Sequence, residues 1–325
     1  MMIRRHLLRA TCACLANLVA VSSARAEAVA WPARPVKLIV PFGAGSGNDI
    51  VARLLADQLS RALGQPFVVH NQVGANGAIG AEAAAHAAPD GYTLFLATNT
   101  TQAANPGLMK KLRYDPVKEF APISRVANTP ALLVVHPSVQ ARTVPELIAL
   151  AKSRPGQLSY ASGSAGTRVP GAMLTSAAGL DMLHVPYKTI PQALADVVAG
   201  QVHGMFTDMA TGIQQVRAGK VRAIGISSLR PAPLLPEVQP IARTLPGFEL
   251  LAWYALYAPA GTPQPVIARL NAETRTALSD AALRERLVSL GLEPISSTPQ
   301  ELAAFGHSEL EKWTRLIREV GIEPE

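Results

Sequence analysis

VKLIVPFGAGSGND, residues 36–49, decides how the chain reads: a short apolar run, a turn rich in glycine and serine, and the start of a helix. Val36, Leu38, Ile39 and Val40 suit a buried strand, which Pro41 closes. Gly43, Gly45 and Gly47 permit positive φ and a close approach of main chain to ligand, and Asn48 or Asp49 can cap the helix. Ile50, Val51, Leu54, Leu55, Leu59 and Leu63 then recur on one helical face, with Gly64 placed to end it. A strand feeding such a turn into a helix start presents free N–H groups to an anion, although a tight turn with no ligand has the same pattern.

Toward the N-terminus, Arg4, Arg5 and Arg9 precede an apolar small-residue segment at about 10–21, and Ala24-Arg25-Ala26 fits a signal peptidase site before Glu27. The apolar part is too short for a good membrane span, so export to the periplasm with cleavage between Ala26 and Glu27 is expected. That leader removes four arginines and no acidic residue. It leaves 26 basic against 23 acidic residues, a formal +3 where the whole chain of 325 residues carries +7. No basic run remains to suggest nucleic acid. Cys12 and Cys14 both lie in the leader, so the mature chain has neither a disulfide nor a thiol nucleophile. At 49% hydrophobic and 16% charged, the chain can build two domains with real cores.

Downstream, 66–71 reads as a second strand, 74–80 as a turn opening an Ala-rich helix at 81–88, and 92–97 as a third strand. This third strand runs into the polar cluster Thr98-Asn99-Thr100-Thr101. Such βαβα alternation implies a parallel sheet that binds ligands beyond the carboxyl ends of its strands, so the turn after Phe42 and the cluster after Ala97 share one edge. A strand at 131–135 and a helix at 144–153, capped by Thr143 with Glu146 behind it, lead into a second run of the same kind. In it, a strand at 157–161 feeds Ser162-Gly163-Ser164-Ala165-Gly166-Thr167 into a helix reaching about 178, with further strands at 184–187, 202–207 and 221–227. Residues 248–258 read as a return strand, and helices follow at 265–279, 282–290 and 299–320. The chain thus crosses between two α/β units near Ala131 and near Tyr254, and two crossings make a hinge. The expected domains are 27–131 together with 254–325, and 132–253.

Rival classes fit poorly. The glycines at 43, 45 and 47 give G-x-G-x-G and not G-x-G-x-x-G, and His70-Asn71 stands where a dinucleotide fold places an acid. Neither Ser46 nor Ser164 sits in G-x-S-x-G, which leaves an exported hydrolase as a lesser alternative. The six histidines after the leader show no metal spacing. No enzyme activity, cofactor or metal is expected. Asp208 either caps a helix, meets a ligand amine or repels a second anionic group, while Trp253 and Tyr254 read as hinge packing.

WPARPVKLIVPFGAGSGNDIVARLLADQLS, APDGYTLFLATNT, YDPVKEFAPIS, LIALAKSRPGQLSYAS, HVPYK, AGKVRAIGISS, YALYAPAGTP and STPQEL, in that order, resemble the tripartite tricarboxylate transporter receptors, or Bug proteins, over essentially the whole mature chain. The resemblance implies a type II periplasmic-binding-protein fold: two α/β domains joined by two crossing strands, with an interdomain ligand cleft. It implies a small carboxylate as ligand, whether a di- or tricarboxylate, an amino acid or an aromatic carboxylate, and a two-component integral membrane permease as partner. A receptor feeding a membrane sensor is the alternative, and a monomer is expected.

The family's first-domain loops map onto Phe42, Gly43, Ala44, Gly45, Ser46, Gly47, Asn48 and Asp49, and onto Thr98, Asn99 and Thr100. Its second-domain loop maps onto Ser162, Ser164, Ala165, Gly166 and Thr167, with Tyr187 of HVPYK and Thr207-Asp208 beside it. Where the family has a longer stretch with a His-Leu pair, this chain has Arg168, which is expected to clamp a carboxylate. The family's Met-Phe-Asp-Asn is Met205-Phe206-Thr207-Asp208 here, and Thr189 replaces a frequent Gly.

Overall fold

In the computed structural model, which describes residues 31–325, VKLIV forms strand β1 (Val36–Val40) and the helix after the turn is α1 (Gly47–Leu63). The expected leader at 1–26 and its cleavage site lie outside the described residues. Arg34–Glu325 is one compact unit, and Trp31, Pro32 and Ala33 belong to a separate unit before it.

The remaining elements of the first half are β2 (Phe67–Asn71), α2 (Ala78–Ala85), β3 (Thr93–Thr98) and α3 (Asn105–Leu108). A π turn, Thr100–Ala104, joins β3 to α3. Next come the long β4 (Phe120–Val135), α4 (Val144–Ser153), β5 (Leu158–Ser162), α5 (Ala165–Ala178), β6 (Met182–Pro186) and α6 (Ile190–Val198). The chain continues through β7 (Gly204–Asp208), α7 (Met209–Arg217), β8 (Arg222–Ile226) and β9 (Leu251–Pro259). It ends with α8 (Gln264–Ser279), α9 (Ala281–Val288), the short β10 (Glu293–Pro294) and α10 (Pro299–Glu319).

Strand order shows how the halves are related. The first half runs β2-β1-β3-β9-β4, with β1, β2 and β3 parallel and β9 antiparallel between β3 and β4. The second runs β6-β5-β7-β4-β8, with β5, β6 and β7 parallel and β4 antiparallel between β7 and β8. Each half therefore receives in its fourth place a strand that arrives from the other. β4 belongs to both sheets: its residues 120–130 pair with β9, and 131–135 pair with β7 and β8. This doubly shared α/β sheet is the type II arrangement.

Burial on both faces explains the unbroken apolar run in the second part of β4. Leu132 and Val134 pack with Leu194, Met205 and Ile213, while Leu133 and Val135 pack with Leu147, Leu174 and Phe206. The first part of β4 was not expected as strand. Pro122, Ser124, Arg125 and Asn128 interrupt its pattern, and two bulges accommodate it against β9.

Buried Ser227 ties the two crossings together. Its Oγ accepts the N–H of Ala131 at 2.8 Å and donates to the carbonyl of Leu250 at 2.5 Å. Its own N–H and carbonyl pair with Ala131 and Leu250 as well.

Candidate functional site

The turn at 43–47 divides its glycines between two tasks. Gly45 has φ +80° and lies exposed, so it turns the chain. Gly47 has ordinary φ but no room: a Cβ there would stand 2.5 Å from Oδ1 of Asp208 and 2.6 Å from the Tyr254 hydroxyl. Ser46, and not Asn48 or Asp49, caps α1 by accepting the N–H of Asp49 at 3.3 Å. Burial alone would raise the Asp49 carboxyl, but hydrogen bonds from Arg53, the Gly45 N–H and Asn71 outweigh it and hold it below its usual range. Asp49 thus spends its carboxylate on fixing the turn.

Between the halves lies a cavity of about 40 Å³. From the first half, Phe42, Ser46, Gly47 and Asn48 line it with Thr98, Asn99 and Thr100. From the second come Ser164, Gly166, Thr167 and Asp208. These eleven are sequence-predicted residues that the fold brings together. The structure adds Pro130 and Ala131 of β4, Ile190 at the start of α6, and Ala252 and Tyr254 of β9. Tyr254, read as hinge packing, is a wall of the cavity, whereas Trp253 is buried and donates from Nε1 to Glu309 at 2.8 Å. No sequence motif marks these five residues, because the two crossing strands and the register of β4 place them.

The first turns of α1, α5 and α6, the π turn after β3 and the cap of α7 all open onto this space. The halves also touch directly beside it. Ala165 N–H donates to Asn76 Oδ1 at 3.0 Å, and Gly166 N–H donates to Thr100 Oγ1 at 3.3 Å. Asn76 is held by Asn105, whose Nδ2 also reaches the Tyr114 hydroxyl at 3.1 Å. Two buried amide atoms on the cavity wall have no partner: Asn99 Nδ2, a donor, and Asn48 Oδ1, an acceptor. Asn48 Nδ2 donates to Leu96 O, which fixes the orientation of that amide.

Asp208 is buried and caps α7, accepting from the N–H and Oγ1 of Thr211 at 2.9 Å. Its carboxyl is raised above the usual range by burial, although Thr211 and the Gly47 N–H oppose this. Tyr254 is raised as well, by burial and by the Asp208 charge. They are the only titratable side chains on the cavity wall, which carries no Lys, Arg or His.

The other predicted site residues lie elsewhere. Gly43, Ala44 and Gly45 form the outer turn, and Ala165 spends its N–H on Asn76. Thr207 is buried, with Oγ1 on the carbonyl of Asp208. Ser162, Arg168 and Tyr187 line a second cavity on the other side of the Ser164 loop. There the Ser162 hydroxyl meets His184 Nε2 at 2.7 Å, and burial, aided by Arg168, lowers His184 to about 4. The Tyr187 hydroxyl donates to Asp196, which pushes it up to about 12. Arg168, expected as a carboxylate clamp, pairs instead with Glu325 at 2.9 Å and is no part of the central wall. Helical rotation is the cause: one position beyond Thr167, the side chain leaves the face that Gly166 and Thr167 present.

Comparison with known proteins agrees with this architecture. A curated relative described by its place in the tcbD-tcbE intergenic region of Pseudomonas sp. strain P51 is 37% identical over 310 residues, covering 94% of this chain and 92% of its own. BugT of Bordetella pertussis is 34% identical, covering 92% of this chain and 93% of its own. Among solved structures, R. palustris Rpa4515 with adipate superposes with a TM-score of 0.89 at 31% identity, covering 91% of this chain and all of that one. MatC of Rhodopseudomonas palustris with bound malate gives 0.84 at 34% identity, covering 88% of this chain and 100% of that one. Residues 51–322 match the family described as "Tripartite tricarboxylate transporter family receptor", and the chain belongs to that family.

Proposed function

We propose that this chain is a non-enzymatic periplasmic receptor that closes on a small carboxylate and delivers it to a two-component integral membrane permease of the tripartite tricarboxylate type. One observation carries the reading: helix starts from both halves face one cavity between them whose wall has no cationic side chain. Such a wall attracts a carboxylate through main-chain N–H groups and helix dipoles, each dipole contributing about 0.3–1 kcal/mol and up to ~2 where partly buried. The unpartnered Asn99 Nδ2 supplies a further donor. Rpa4515 with adipate and MatC with malate, which share this fold, support the carboxylate class.

The two halves of the unit Arg34–Glu325, divided as the sequence suggests near Ala131 and near Tyr254, move as two bodies about these crossings. The cavity of about 40 Å³ has room for roughly three waters at ~10–15 Å³ each, so a carboxylate enters only when the halves part. The ligand then favours the closed form because only there do both halves touch it. Among the described residues no helix is long and apolar enough to cross a membrane.

The test is a thermal-shift screen of the mature protein against a carboxylate panel, with mass spectrometry of copurified small molecules. A specific carboxylate raises the melting temperature by mass action. A panel of di-, tri-, amino and aromatic carboxylates with no shift, and no copurified acid, contradicts the reading.

A further inference from the structure

Resting on the carboxylate reading, we infer that the ligand of this cavity is an amino-carboxylate, whose ammonium group lodges against the Asp208 carboxylate while its own carboxylate meets the helix starts. Three observations converge on this. First, the wall contains one carboxylate and no Lys, Arg or His, so a guest with two or three negative charges meets a like charge with no side-chain cation to offset it. Second, among the described residues no cation pairs with Asp208. Its hydrogen bonds come from Thr211 and from the Gly47 N–H. A carboxylate so enclosed is stable as an anion only when a positive charge joins it. Third, Asn48 follows Gly47, the residue that touches Asp208, and its Oδ1 is a buried acceptor with no donor. A carboxylate cannot donate to it; an ammonium, with three N–H donors, can.

The same cavity therefore has two chemical ends. Asn99 Nδ2 and the first-turn N–H groups suit an anion, and Asp208 with Asn48 Oδ1 suits a cation. A zwitterion satisfies both and brings no net charge into the enclosure. The groups facing Asp208 are neutral: Tyr254 from β9, Thr211 from α7 and the main chain of α1. Asp49, the acid nearest in α1, is turned away onto Arg53.

Matched acids test the assignment by calorimetry on the mature protein: propionate, 2-hydroxypropionate and alanine; butyrate and 2-aminobutyrate; glutarate and glutamate. The expected result is at least one aminated acid binding tenfold or more tighter than its amine-free partner. Asp208→Asn, which retains a good helix cap, should abolish that difference. Lowering the pH should weaken the aminated acid in wild type as Asp208 takes up its proton, while leaving the variant flat. Amine-free or hydroxy acids that match or exceed their aminated partners overturn the inference and leave the carboxylate reading standing, as does a preference that survives in Asp208→Asn. If neither these acids nor the wider carboxylate panel binds, the carboxylate reading itself falls and the inference falls with it.

Discussion

The N–H of Ala165, at the head of α5, donates to Oδ1 of Asn76 at 3.0 Å across 89 residues of sequence, so the second half is held to the first by a side chain in a surface turn. Asn76 adopts a left-handed conformation, φ 52° and ψ 38°, which Asn and Gly tolerate best. Asn76→Gly keeps that backbone and removes only the side chain. A hydrogen bond of this kind is worth about 0.5–1.5 kcal/mol, so carboxylate affinity should fall by roughly three- to tenfold in calorimetry.

Gly47→Ala places a methyl group against Asp208 and Tyr254, both buried. The clash with Asp208 exists only when the halves meet, whereas Tyr254 belongs to the same half as Gly47 and has to yield in either state. Binding should weaken at least about tenfold while circular dichroism is unchanged, and small-angle scattering should show a more open particle.

Ser227→Ala removes the hydroxyl that joins the crossings and strands two main-chain groups, the Ala131 N–H and the Leu250 carbonyl. A buried group left unsatisfied costs about 1–3 kcal/mol, to be read as a loss in urea-unfolding free energy. Ser227→Thr, which keeps the hydroxyl, should recover part of it.

Most strands and helices were legible because their patterns are local. The apolar run 36–40, the Thr143 cap and the glycines at 64 and 179 mark their elements directly, and the structure places them there. What escaped depends on distant partners. Phe120–Pro130 is a strand because β9 pairs with it, against its own prolines and polar residues. Thr100–Ala104 is a π turn whose Thr101 carbonyl accepts from Tyr114, a contact no spacing reveals. In the site, the residues at helix starts were readable from their turns, whereas Tyr254 and Ile190 enter by topology and Arg168 leaves by one step of helical rotation.

His184 links stability to pH. Its folded pKa, about 4, lies below the ordinary 6.5, so the fold holds the neutral ring. That contribution is complete above pH 6.5 and is lost as the pH falls from 6.5 toward about 4, because the unfolded chain takes up the proton first. His184→Gln should flatten this part of the stability profile, measured by denaturant midpoints across the range.

Arg168→Ala should leave carboxylate affinity within about threefold of wild type. Arg168 is spent on Glu325 outside the central wall, and such partly exposed pairs are worth about 0–1 kcal/mol. A loss beyond tenfold would return Arg168 to the site.

The most direct test of the central claim, that main-chain groups from both halves grip a carboxylate, is calorimetry with an acid and its primary amide. Any acid that the screen returns should bind measurably, and its amide, which has lost the charge that the helix starts attract, should bind at least about a hundredfold more weakly. An amide that binds as tightly as its acid would contradict the account.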